Sequence, residues 1–235
     1  MQNQPRLGFT DIFCLAAGTM ISSGIFILPG IAFRMAGPLV LVSYMLGGLV
    51  AFIGVLAIIE LTSAMPKAGG DYFFITRTFG GLAGTISGVL SWVALTLKAA
   101  FAIFGLVTVI SPFVPIPPYL LMVIVTGALV AMNLAGASVA SKAEIAMTLL
   151  KIGFMVFFIC IGIGHVKLTA FSNSVLDNHS VFAVIGTSAM IFVSFGGLIN
   201  IASMAEEVKD PGRNIPAAML GALGLVCVLY AFMVL

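Results

Sequence analysis

Two short stretches of this chain put poor helix formers where a helix would have to cross lipid. The first runs Gly18-Thr19-Met20-Ile21-Ser22-Ser23-Gly24-Ile25, with Pro29 shortly after. The second runs Val193-Ser194-Phe195-Gly196-Gly197-Leu198. Gly in a helix interior costs about 1 kcal/mol relative to Ala, and Pro29 cannot donate to the carbonyl of Ile25. Backbone unwound in hydrocarbon leaves amides unpaired at roughly 2–7 kcal/mol each. It survives only where it lines a cavity or meets a ligand. The chemistry on offer is therefore binding. A half-helix N-terminus offers N–H groups and the positive end of a dipole to an anion, and a half-helix C-terminus offers carbonyls to a cation. An amino acid zwitterion carries both charges on one carbon, which makes Ile21 to Ile25 and Val193 to Gly197 the candidate substrate-binding residues. Close packing through Gly and Ser explains either stretch alone equally well. Two of them, five spans apart, favour paired discontinuous helices related by an inverted repeat.

Two lysines also lie in apolar runs, where an ammonium costs at least ~2.5–3.5 kcal/mol. Lys151, in Leu149-Leu150-Lys151-Ile152-Gly153, is close enough to a polar boundary to snorkel. Lys98, between Leu97 and Ala99, is deeper and calls for a partner or a water-filled cavity.

The elements that must position these groups follow from composition. Of 235 residues, 61% are hydrophobic and 8% charged, and the mean hydropathy is +1.24. A soluble domain carries about 25% charged residues, so this chain needs a lipid bilayer around it. A net charge of +2 without a basic run excludes nucleic acid as a partner. A bilayer core of about 30 Å needs roughly 20 apolar residues. Seven runs qualify, at approximately 11–35, 38–64, 82–111, 118–135, 143–164, 181–205 and 215–235. The fold class is thus an all-α integral membrane protein in one transmembrane domain. Turn chemistry fills the connections, and Asp71 can cap a short surface helix over 71–79. Arg6, Lys67, Arg77, Lys142, Lys209 and Arg213 fall on one side and Arg34 and Lys167 on the other. That asymmetry predicts a cytoplasmic N-terminus in a cell membrane. Met1 to Thr10 lacks the pattern of a removable signal peptide. The final Phe232-Met233-Val234-Leu235 stops within an apolar run and reads as a fragment's end.

Cys14, Cys160 and Cys227 lie apart in apolar stretches, and His165 and His179 are unpaired. No metal, cofactor or disulfide is expected. Asn178-His179-Ser180 has the form of a glycosylation sequon. Glu60 could join a cytoplasmic gate with Lys67 or Arg77, whereas Glu206, Glu207, Lys209 and Arg213 read as a wet interface cluster.

Three stretches together resemble the amino acid–polyamine–organocation transporter superfamily. Met20-Ile21-Ser22-Ser23-Gly24-Ile25-Phe26 is similar to its first-helix G-S-G-I-F signature. Glu60-Leu61 through Pro66-Lys67-Ala68-Gly69-Gly70-Asp71-Tyr72 is similar to the segment after its second helix. Phe195-Gly196-Gly197 through Glu206-Glu207 to Pro211-Gly212-Arg213-Asn214-Ile215-Pro216 is similar to the sixth helix and its exit. Ser22 replaces a usual glycine, Ile199 a frequent Glu (with Asn200 beside it), and Val193 an often aromatic gate.

The resemblance implies a LeuT-like fold of two inverted five-helix repeats, in about twelve helices, of which this chain holds the first repeat and the opening of the second. Helices 1 and 6 would be discontinuous. The N–H groups of Ser22, Ser23 and Gly24 would bind a substrate carboxylate. Carbonyls near Val193, Ser194 and Phe195 would accept its ammonium, and the side chain of Phe195 or its neighbours would line the pocket. Lys151 matches a fifth-helix lysine that in proton-coupled members stands where relatives bind sodium, so a proton or sodium gradient would drive uptake. Lys98 could face the pocket and bias it towards acidic substrates, or pair with helices outside the chain.

Transport competes with three other readings. An intramembrane enzyme would need a nucleophile–base pair or a carboxylate dyad at membrane depth, and the sequence has neither, so no catalytic residue is expected. A seven-helix receptor matches the span count but has no need of two mid-depth breaks. A truncated transporter without independent activity is the third. The amino acid carried, the transport mode and the oligomeric state are not encoded in any motif.

Overall fold

The computed structural model describes residues 7–67, 69–134, 137–162, 164 and 181–234. Arg6, His165, Lys167 and the sequon at 178–180 lie outside the described residues. Among those described, the fold is all-α. Its helices are α1 (Phe9–Met20), α2 (Ser23–Ala36), α3 (Val40–Ala64), α4 (Gly70–Phe79), α5 (Gly81–Ile110), α6 (Pro118–Leu134), α7 (Ala137–Gly162), α8 (Val181–Phe192), α9 (Ile199–Ser203) and α10 (Pro211–Val234).

Five helical stretches are long and apolar enough to cross a membrane: Ile27–Ala64, Gly81–Phe113, Lys142–Gly162, Val181–Ser203 and Pro211–Val234. The protein is a multi-pass membrane protein. The seven apolar runs become five such stretches for two reasons. The first run breaks after Met20, and its second half joins the next run through a 3₁₀ turn at Gly37–Leu39. The run opened by Pro118 ends at Leu134, as a shorter helix. Pro29, whose missing donor suggests a break, lies inside a continuous α2. Proline is tolerated in membrane helices where neighbours compensate its lost bond.

The core is built by α1, α3, α8 and α10, with α7 packed along α1. Ile12, Ala16 and Met20 of α1 meet Met219, Val226 and Tyr230 of α10, while Tyr44 of α3 and Ile191 of α8 complete the cluster. Ser43 Oγ donates across to the carbonyl of Val184 at 3.2 Å, fastening α3 to α8. By contrast Trp92, Phe104, Phe154 and Phe157 are exposed. Such faces stay apolar because their surroundings are hydrocarbon or other membrane helices.

Short polar contacts set the ends of these elements. The Asp11 carboxylate accepts the N–H of Gly8 at 3.0 Å and so fixes the start of α1. Helix α4 begins one residue ahead of Asp71, and that carboxylate is used sideways, accepting a hydrogen bond from Ser91 on α5. Before α1, Leu7 pairs with the segment after α9: its N–H donates to Glu207, and its carbonyl accepts from Lys209, each at 3.0 Å.

Candidate functional site

Helix formation fails where the sequence stacks Ile21, Ser22, Ser23 and Gly24. Ile21 leaves the helix with ψ at 78°, and Ser22 is extended, with φ −117° and ψ −167°. An α-helix leaves its last four carbonyls without intrahelical donors, so the end of α1 must find partners elsewhere in the fold. It finds them on three other helices. Lys151 Nζ on α7 donates to the carbonyls of Gly18 at 3.1 Å and Ile21 at 2.7 Å. Lys98 Nζ on α5 donates to Thr19 at 3.2 Å. The Tyr230 hydroxyl on α10 donates to Met20 at 2.8 Å. Each carbonyl from Gly18 to Ile21 therefore holds a side-chain donor.

Helix faces explain how these groups arrive. Thr148, Lys151 and Met155 are spaced i, i+3, i+7 on α7 and turn inward together; Thr148 and Met155 are buried and Lys151 half-buried. Gly18 lets α7 approach, because a Cβ there would collide with the Thr148 hydroxyl. On α5, Ser91, Lys98, Ala102 and Gly105 share the inward face. Lys151 thus points at the interruption rather than towards a membrane surface. A groove of about 400 Å³ on α7, between Leu149, Leu150, Gly153, Phe154 and Phe157, is lined by apolar residues and does not include Lys151.

The second interruption follows α8. Val193–Phe195 form one 3₁₀ turn, Gly196 is extended at φ −65° and ψ 153°, and Gly197 takes φ +116°. Only glycine accepts that φ without strain. Space gives a second reason: a Cβ on Gly197 would lie 2.9 Å from Thr19 Cβ and 3.1 Å from Lys98 Nζ. The two interruptions therefore meet, Gly197 against Thr19. Lys98 joins them, donating to the Gly196 carbonyl at 2.6 Å as well as to Thr19.

The sequence candidates divide once their partners are known. Ser22 turns its N–H back onto the Met20 carbonyl at 2.8 Å, and its own carbonyl accepts from Ile25 at 3.3 Å. Ser23 and Gly24 open α2, where the first N–H groups of a helix have no intrahelical acceptor. Ile21 and Ile25 are buried. Val193 is exposed, and its carbonyl takes the N–H of Gly196 at 3.1 Å. Ser194 is buried, with its hydroxyl unpaired among the described residues. The Phe195 ring is core rather than pocket lining, 5.3 Å from the ring of Tyr230. It lies beside Gly48 of α3.

Tyr230 is a member of the site that sequence reasoning passes over. Its only signal is a hydroxyl in an otherwise apolar final run. Lys67 pairs with Glu206 at 3.9 Å, instead of with Glu60, because the loop after α3 faces the turn after α9. Both side chains are at least half exposed.

Comparison with known proteins adds an independent line. The protein-family model for amino acid permeases matches residues 7–235. Cationic amino acid transporter 7, chloroplastic, of Arabidopsis thaliana is 34% identical over 99% of this chain and 44% of its own length. The branched-chain amino acid permease of Lactococcus lactis is 30% identical over 94% of this chain and 53% of its own. The methylthioribose transporter of Bacillus subtilis is 28% identical over 94% and 52% respectively. The chain spans about half the length of these curated relatives.

Proposed function

Because the chain belongs to the amino acid permease family, we propose that it carries the substrate-binding interruptions of a secondary transporter for amino acids. The transporter works by alternating access in a cell membrane, with the N-terminus cytoplasmic. One observation supports this above others: at membrane depth, the carbonyls of Gly18 to Ile21 are held by side chains from three helices. Helix packing alone has no need of such donors.

In this reading the N–H groups of Ser23 and Gly24 receive the substrate carboxylate. The carbonyls around Val193, Ser194 and Phe195 receive its ammonium. Lys151 couples transport to protons. With its proton, it bridges Gly18 and Ile21 and holds the end of α1 closed. Without it, neutral Lys151 retains one lone pair and two N–H groups and no longer carries the charge that strengthens both bonds.

The receptor reading is set aside, since the permease match runs from residue 7 to residue 235. Relatives' names divide over cargo, among cationic amino acids, branched-chain amino acids and methylthioribose. The amino acid moved here has to be read from the site itself.

The test is uptake of a radiolabelled amino acid mixture into proteoliposomes under an imposed pH gradient. Wild-type protein accumulates label, and Lys151→Ala loses at least ten-fold of the pH-driven component. Undiminished pH-driven uptake by that variant excludes the coupling role. Absence of any amino acid uptake by wild-type protein removes the transport reading.

A further inference from the structure

The coupling reading gives no task to Lys98, although its ammonium is where the two interruptions meet. It sits 2.6 Å from the Gly196 carbonyl and 3.2 Å from that of Thr19, and Gly197 has no side chain to shield it. Among the described residues no carboxylate lies within ion-pair distance of it. Carbonyl dipoles hold an ammonium in place but leave its charge unneutralised. An ammonium has three N–H donors and no acceptor, so two are spent on the carbonyls and one remains. Moreover, Thr19 and Gly196 are backbone acceptors that an incoming cation would otherwise use, and both are already taken.

We propose that Lys98 is a specificity-determining residue whose fixed positive charge makes the site prefer dicarboxylic amino acids and disfavour those with an ammonium or guanidinium side chain. The inference rests on the amino acid transport reading and deepens it. A substrate's α-ammonium arrives beside its own carboxylate, so its net repulsion by Lys98 is small. A distal cation has no such companion, and beside a half-buried ammonium like charges repel more strongly than in water. A distal carboxylate gains the remaining N–H of Lys98 as a charge-assisted partner.

Ligand-induced thermal stabilisation of the purified protein by L-glutamate, L-leucine and L-lysine tests this. In wild-type protein the apparent Kd for glutamate is expected to be at least ten-fold below that for lysine. Lys98→Met brings the ratio of the two constants at least ten-fold closer to one. Lys98→Arg, which keeps the charge, keeps the preference even where affinity falls. The proposal is overturned if wild-type protein binds lysine as tightly as glutamate, or if Lys98→Met binds leucine and retains the wild-type ratio. A merely structural role for Lys98 weakens all three ligands together and leaves the ratio unmoved. If the Met variant does not fold, the wild-type ratio and the Arg variant still decide. Should none of the three stabilise wild-type protein while another amino acid does, the dicarboxylate preference falls alone. If no amino acid stabilises it, the transport reading falls too.

Discussion

The two interruptions solve one problem by different means. After α1, the freed carbonyls are met by long side chains: two ammonium groups and a phenol, reaching in from α7, α5 and α10. After α8, the chain relies on its own backbone, through a 3₁₀ turn, an extended Gly196 and a Gly197 at φ +116°, with one outside donor from Lys98. The first is held by side chains that three other helices supply. The second is held by a conformation that only glycine adopts easily. The first therefore depends on its neighbouring helices, while the second is set by shape.

The sharpest way to break that contrast is to remove a donor from the first interruption. Lys151→Ala takes away two charge-assisted hydrogen bonds and leaves two carbonyls short of partners, which is expected to cost about 2–4 kcal/mol. Thermal unfolding in detergent, together with cysteine accessibility along residues 18–22, would register the loss. Next comes Gly197→Ala, which puts a Cβ against Thr19 and forces a strained φ, for roughly 1–3 kcal/mol. Gly186→Ala on α8 meets open space and is the control, stabilising by up to about 1 kcal/mol. If both glycine variants behave alike, the second interruption is not set by shape.

Tyr230→Phe deletes one neutral hydrogen bond while keeping the ring tilted against Phe195. A loss of about 0.5–1.5 kcal/mol is expected, read as a modest drop in the unfolding midpoint. The smallest effect belongs to Lys67→Ala, since its partner Glu206 is half exposed and such pairs contribute about 0.2–1 kcal/mol. A double-mutant cycle with Glu206→Gln would place it, and a larger coupling would mean that the pair clamps the loop after α3 to the turn after α9.

How much of this was legible in the sequence depended on residue type. Gly, Ser and charged residues stand out in apolar runs, so Ser22, Gly197, Lys98 and Lys151 announce themselves. Their partners do not. Helix α7 is apolar on nearly every side, so hydropathy cannot say that Thr148, Lys151 and Met155 face inward while Phe154 and Phe157 face out. Backbone acceptors such as Thr19 and Met20 have no sequence signature, because every residue has a carbonyl. Tyr230 was hidden for a related reason: tyrosine is common near membrane ends, and its role depends on which helix packs opposite. Phe195 misled in the other direction. A ring beside a Gly pair suggests a pocket wall, but this one is buried in the core against Tyr230.

The pairing of Leu7 with Glu207 and Lys209 has a mechanical consequence. It ties the approach to α1 to the departure from α9, so a tilt of one half-helix drags the other like two oars lashed at the handle. The pivots for such a stroke are the unwound residues themselves, Ile21-Ser22 and Gly196-Gly197. Cutting the lashing, for example by placing proline at Leu7 to remove its N–H, should let the two blades move out of step.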